Sequence, residues 1–510
     1  MASVLVAAAL AAAACGGGTS SSSPASKAST RGGTLTIAST GPSSLNPSSA
    51  ANNAPGVYVV LAYASLINWT NANTFTPGLA TSWKYVGSND KTFQLTLRKG
   101  VKFSDGEAMT AQAVANSINY FKKSNGGPTG LDYQNITATA TGPLQVTLTS
   151  TIPDPYFVQL CTPFYLGGAI IAPKGLADPK LLQTQSEGAG EYVLQASQSV
   201  ANDHYTYTAN PNYYDQSAIH YKKVVIQVIN EEQSAVAALR TGQIQLYIGG
   251  SKVSAGSVAS AGGYVLAGPS YWVGLQLLDW QGKVFKPLGN VKVRQALSYA
   301  LNRTAITNAV FGKYATPTAE PALRSWAGYS TSLSSSFSYN PAKAKQLLAQ
   351  AGYPGGKGVT VPMVYLGFSW FSELAQAIGQ ELKAVGINVQ YDPVTTIGAM
   401  LQAIYSGKVA AYNIPISMTE PYFLYPQNFG PKGNLNGMNE VTPSLQNLYD
   451  TAVSSPSSAS WTSFLSWLTN NAYTLPTSIA DQLYYVANNT NAGINAATGL
   501  MDYTEISPKS

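Results

Sequence analysis

The side chains able to make or break bonds are sparse in this chain, and they do not converge on a reaction. The two histidines, His204 and His220, share no metal-ligand spacing with each other or with Cys161. His204-Tyr205-Thr206-Tyr207 reads as an alternating strand that turns its histidine to solvent. No Gly-x-Ser-x-Gly elbow, phosphate loop or dinucleotide fingerprint occurs. The 23 acidic residues include no motif that sets a carboxylate pair apart for glycoside hydrolysis. No catalytic residue, metal or cofactor is implied. What stands out instead is aromatic. Tyr271-Trp272, Phe368-Ser369-Trp370-Phe371 and Tyr422-Phe423 lie among Ser, Asn and Gln. Flat rings beside hydroxyls and amides suit sugar rings or other neutral amphipathic solutes, so Trp272, Trp370, Phe371 and Tyr422 are candidate ligand contacts.

The composition agrees with binding outside the cytoplasm. Only 10% of residues are charged, against roughly 25% in ordinary soluble domains, and Gly, Ser, Thr, Asn, Gln and 32 Tyr take their place. Such a surface suits an exported protein that binds weakly charged solutes, and equally an acidic habitat. A net charge of +6 over 510 residues, with no Lys/Arg run, gives no support to a nucleic-acid footprint. Residues 1–14 are almost wholly Ala, Val and Leu, as in a signal peptide, and end at Cys15. The Gly/Ser/Thr tract through Arg31 reads as a tether. Small residues, a cysteine and such a tether resemble a bacterial lipobox, with Ala12 where Leu is usual. Cys15 is therefore expected to carry lipid, placing the protein on the outer face of the membrane or in the periplasm. Cys161, within Phe157-Val158-Gln159-Leu160-Cys161, is expected to be a buried, inert thiol.

The elements that must position the aromatic residues alternate between strand and helix. Leu35-Thr36-Ile37 and Phe93 to Leu97 have strand periodicity, and Thr110 to Phe121 has helical spacing with Thr110 as N-cap. Val224–Ile229, a helix ending at Gly242, and a strand through Ile244, Leu246 and Ile248 form a strand–helix–strand unit that implies a parallel pair. Val291–Asn302 is helical, and Asn340-Pro341 caps a helix that Gly352 ends. Leu374, Ile378, Leu382 and Val385 line one helix face before Gly386, and Ile387, Val389 and Tyr391 alternate after it. Phe368 to Phe371 reads as a loop ahead of that helix, and Arg294 as a helix residue that packs against a carboxylate.

These segments together resemble the extracytoplasmic solute-binding proteins of the oligopeptide/dipeptide/nickel type, family 5. The resemblance rests on Gly32-Gly33-Thr34-Leu35-Thr36-Ile37 with Leu45-Asn46-Pro47, on Pro77 to Trp83, and on Leu97 to Gly106. Gly188-Ala189-Gly190-Glu191-Tyr192, Asn210 to Tyr214, Val291 to Leu297 and Asn340 to Gly352 extend it over nearly the whole chain after the tether. It implies an α/β, two-lobed periplasmic-binding-protein fold with a hinge, mixed sheets flanked by helices, and an extra α+β subdomain on the N-terminal lobe. The corresponding boundaries are 32–58, 188–271 and 472–510 for the first lobe, 59–187 for the subdomain and 272–471 for the second lobe. It also implies a monomeric receptor that delivers a solute to the permease of an ABC importer, and not an enzyme.

Peptide-binding relatives hold the peptide ammonium with an Asp three residues before an acidic-Pro pair. Here that pair is Glu420-Pro421 and the position falls on Ser417, within Ile416-Ser417-Met418-Thr419. A hydroxyl cannot neutralise a buried ammonium, whose desolvation costs several kcal/mol when unpaired. The resemblance thus puts Ser417, Met418 and Glu420 in the site and favours an oligosaccharide or a modified peptide as ligand. An ordinary oligopeptide stays open if Glu420 takes over the anchor. An exported hydrolase and a ligand-loaded sensor subunit are the rival functions.

Overall fold

A computed structural model describes residues 31–50, 56–123, 128–417 and 420–509; Cys15 and Met418 fall outside them. One mixed sheet of 12 strands runs through the molecule. Its order is Asn388–Val394, Thr360–Leu366, Ala411–Asn413, Gly263–Leu277, Thr474–Ala487, Leu246–Ile248, Gly32–Ser39, Tyr221–Val228, His204–Ala209 and Tyr192–Leu194. Ala315–Pro317 and Ile416–Ser417 pair with the two long central strands from the side.

Those two strands, Gly263–Leu277 and Thr474–Ala487, are antiparallel partners over almost their full lengths, and each serves both halves of the sheet. Val486, Tyr485 and Tyr484 pair with Leu246–Ile248 on one side. Gln276 and Leu277 pair with Tyr412 and Ala411 on the other. A single pair of strands therefore joins an N-terminal half, built around Gly32–Ser39, to a second half built around Thr360–Leu366.

The strand–helix–strand unit forms, but its strands are not neighbours. Tyr221–Val228 and Leu246–Ile248 are both parallel to Gly32–Ser39, which lies between them. The first strand of the chain, whose Leu35 and Ile37 are buried, fills the slot that a local reading assigns to direct pairing. A separate four-stranded antiparallel sheet holds Ala80–Tyr85, Thr92–Leu97, Gln145–Ser150 and Ile136–Gly142. Thr92–Leu97 alternates between half-buried and buried positions as its periodicity requires. The Ala111–Lys123 helix packs on this sheet, and Thr110 Oγ1 accepts from Ala113 N at 3.1 Å.

In the second half Asn340 caps Pro341–Gln350 by accepting from Lys343 N at 2.9 Å, and Gly352 adopts φ +90° just beyond its end. Leu374, Ile378, Leu382 and Val385 are all buried. Two expectations are corrected. The helix before them begins at Ser369, so Trp370 and Phe371 occupy its first turn and not a loop. Arg294 is held by carbonyls: Nη1 donates to Leu288 O at 2.6 Å and Trp280 O at 3.3 Å, Nε to Asn471 O at 2.9 Å, and the guanidinium lies 5.0 Å from the Tyr473 ring centre. Carbonyl oxygens and a ring face satisfy its fork of donors without the desolvation of a second ion. Cys161 is buried, and burial pushes its thiol up, which makes it unreactive. No helix among the described residues is long and apolar enough to cross a membrane.

Candidate functional site

The candidate residues fall into two groups, the first of them where the two halves of the sheet meet. The register between the central strands shifts between Pro269 and Tyr271, and again between Val273 and Gly274. Gly274 has φ +151°, and a Cβ there would lie 2.2 Å from Leu475 O, so the close approach of the two strands requires glycine. Tyr271 and Trp272 follow the first shift and pair with Ser417 and Ile416.

Adjacent residues of a strand point to opposite faces, and these two have different fates. The Tyr271 ring is parallel to Trp370, with centroids 6.2 Å apart. Trp370 stacks on Phe371 at 3.9 Å and meets Phe311 edge-on at 5.2 Å. The structure thus brings Tyr271, Trp370 and Phe371 into one half-buried cluster spanning the strand and the Ser369–Ala384 helix. Trp272 is turned the other way, into the core, 1% exposed, and its Nε1 has no hydrogen-bond partner.

A second group forms where the Pro421–Asn428 helix meets the segment that carries the four-stranded sheet. Pro421 starts this helix because its fixed φ and missing N–H are both tolerated in a first turn. Tyr156 packs on Tyr422 at 5.2 Å and on Phe423 at 5.5 Å, and Tyr165 packs on Phe423 at 5.1 Å. Tyr422 Oη donates to Pro153 O at 3.3 Å, Gln427 Nε2 to Asp132 Oδ1 at 3.1 Å, and Tyr449 Oη to Tyr422 O at 3.0 Å. Tyr422 is therefore a buried contact between segments far apart in the chain.

Three carboxyl groups lie in this contact. Asp154 is buried, while Asp132 and Glu420 are partly so. Burial pushes Asp132 up to about 8, against the bond from Gln427. Burial raises Asp154 to about 7, although the Tyr156 N–H and the Tyr422 hydroxyl both favour its charged form. Burial likewise raises Glu420 to about 7; its one resolved donor is Ala327 N, 3.3 Å from Oε2. The ion pairs among the described residues are Lys174–Glu187, His204–Asp203 and Lys283–Glu440, none of them here. An ionised carboxylate in such a place needs either a proton or a cation.

Glu420 and Tyr422 come from the acidic-Pro segment. Asp132 and Asp154 escape a sequence reading, because neither belongs to a motif and each becomes notable only through a distant partner. Ser417 is fixed as a strand position opposite Tyr271. Among the described residues no group of three or more His, Cys, Asp or Glu could hold a metal ion, and His204 is engaged by Asp203 and by Gln198 O.

Residues 74–435 match the bacterial extracellular solute-binding proteins, family 5 Middle. The chain belongs to this family. It is 29% identical over 315 residues to the glutathione-binding protein GsiB of Salmonella choleraesuis (strain SC-B67), an alignment covering 60% of this chain and 58% of that relative. The chain thus spans less than two thirds of the curated relative it matches. Among solved structures, the Escherichia coli murein tripeptide binding protein MppA has a TM-score of 0.81 at 19% identity, covering 94% of this chain and 99% of MppA. The binding protein AgaA in complex with agropinic acid, from A. tumefacien R10, has a TM-score of 0.79 at 22% identity, covering 92% of this chain and 97% of AgaA. The family 5 fold is therefore the fold of this molecule: two lobes of mixed α/β structure, joined here by the long strands Gly263–Leu277 and Thr474–Ala487.

Proposed function

We propose that the chain is the receptor of an ABC-type importer, taking a small solute between two lobes that hinge about Tyr271 and passing it to a membrane permease. Ligand bound between lobes favours the closed form, which the permease can distinguish from the open one. Of the two substrate classes read from the sequence, a modified peptide bearing an amine is the better supported. The observation that carries this reading is the set of Asp132, Asp154 and Glu420, with no basic partner among the described residues, beside Tyr156 and Tyr422 at the junction. An ammonium placed there would restore the charge balance that Ser417 cannot provide. Tyr271, Trp370 and Phe371 would hold the apolar part of the ligand, with Trp272 behind them in the core. Of the relatives named above, GsiB is named for glutathione and MppA for a murein tripeptide, while AgaA is in complex with agropinic acid.

Thermal unfolding of the purified full chain tests this. Ligand at a hundred times its Kd stabilises a folded protein by about 2.7 kcal/mol. Glutathione or a γ-linked tripeptide should raise the midpoint, and Glu420→Gln should abolish the rise. Stabilisation by oligosaccharides alone would return the reading to a sugar receptor, and turnover of the added solute would make the chain a hydrolase. Export and anchoring are proposed through Cys15. Fatty-acid labelling in a bacterial host should mark the wild type and not Cys15→Ser.

A further inference from the structure

A cavity of about 440 Å³ lies apart from the junction, and none of Tyr271, Trp370, Glu420 or Tyr422 lines it. It is walled by the Val57–Val60 helix, the hairpin of Ile67–Trp69 and Phe75–Pro77, the loop after His204–Ala209, and the Tyr503–Glu505 turn. Its charged wall is mainly acidic. Glu191 is 6% exposed, and burial, reinforced by Asp502 and Asp215, pushes its carboxyl far above the usual range. Tyr213 is its hydrogen-bonding neighbour. Asp502 accepts from Thr504 N at 3.0 Å and Thr504 Oγ1 at 2.6 Å, and burial raises it to about 6.

No ion pair among the described residues involves Glu191, Asp215 or Asp502. The wall also holds one guanidinium: Arg98 Nε donates to Gly78 O at 3.1 Å, and its carbon lies 4.5 Å from the ring centre of Tyr214, another wall residue. Ser65, also in the wall, is 4% exposed, and its Oγ has no hydrogen-bond partner. Trp69 and Phe164, edge-on at 5.4 Å, supply an apolar side.

We propose that this cavity is a second small-molecule site, for an organic cation of the alkylammonium class. The ammonium lies among Glu191, Asp502 and Asp215, where it offsets their mutual repulsion, and Ser65 Oγ accepts one of its N–H groups. The hydrocarbon body lies against Trp69 and Phe164, where ring faces favour a cation and its attached methylenes. The site is independent of the ligand assigned to the junction, so a receptor holding its transported solute could carry the cation as well.

The test compares 1,5-diaminopentane with its neutral counterpart 1,5-pentanediol by titration calorimetry on the full chain. The diamine should bind at least ten-fold more tightly than the diol. Glu191→Gln should weaken it at least ten-fold and Ser65→Ala several-fold, whereas Glu420→Gln should leave it unchanged. If Glu191→Gln does not fold, Asp502→Asn serves the same comparison. Equal affinity for the diol, no binding of the diamine, or a loss confined to Glu420→Gln would each overturn the assignment. The last result would place the cation at the junction, and failure of the junction reading alone would leave the Glu191 and Ser65 effects intact.

Discussion

Gln427 Nε2 donates to Asp132 Oδ1 across 3.1 Å, tying together two residues 295 positions apart in the chain. With Tyr422 on Pro153 O, it makes a latch between the Pro421–Asn428 helix and the segment that carries the four-stranded sheet. The latch is built from an amide, a phenol and carboxyl groups, with no Lys or Arg pair among its described contacts.

That chemistry makes the latch weaken as the pH rises. Asp132, Asp154 and Glu420 have folded-state values of about 8, 7 and 7, above ordinary values of 3.8, 3.8 and 4.5. The folded form therefore holds these protons more tightly than the unfolded chain. Their contribution is fully present below about pH 4 and is lost as pH rises through 7 to 8. The ligand-free melting temperature should fall between pH 5 and pH 8.5, and Asp132→Asn should flatten part of that fall. A profile identical in wild type and variant would remove Asp132 from the latch.

Tyr422→Phe keeps the ring contact with Tyr156 and deletes the bond to Pro153 O. A loss of about 0.5–1.5 kcal/mol is expected, with a larger radius of gyration by X-ray scattering if the bond holds the lobes together.

Trp370→Ala removes the stack on Phe371 and the edge contact with Phe311, each aromatic pair worth about 0.5–1.5 kcal/mol beyond area burial. Stability by urea titration should drop by at least about 1 kcal/mol. Ligand affinity should fall as well if the ring contacts solute, whereas unchanged affinity would confine Trp370 to packing.

Gly274→Ala should cost more than any of these. The new methyl would meet Leu475 O, a backbone atom, at 2.2 Å, and φ +151° is strained for any residue with a Cβ. The central strands would have to part, so a drop in soluble yield and in melting temperature of several degrees is expected.

Local chemistry made much of this fold legible. Asn340, Thr110 and Gly352 declare helix ends because caps are satisfied within a few residues. Periodicity found the strand at Phe93 and the buried face at Leu374 and Ile378. It could not reveal that Gly32–Ser39 enters between Tyr221–Val228 and Leu246–Ile248, since that insertion is a long-range event. Asp132 and Asp154 were hidden for the same reason. A carboxyl becomes unusual through what surrounds it, and Gln427 and Tyr422 arrive from far along the chain. Glu420 was visible only because the acidic-Pro pair marks it.

The parallel rings of Tyr271 and Trp370 join the central strand to the helix of the second half, beside the first register shift. Any twist of one half against the other turns that strand, and the tyrosine with it. The distance and angle of the pair would then change, altering the excited state of the indole. If the halves close as proposed, the pair would serve as a built-in optical gauge of that motion, readable in the difference between the near-ultraviolet dichroism of the wild type and that of Trp370→Phe, without any attached dye.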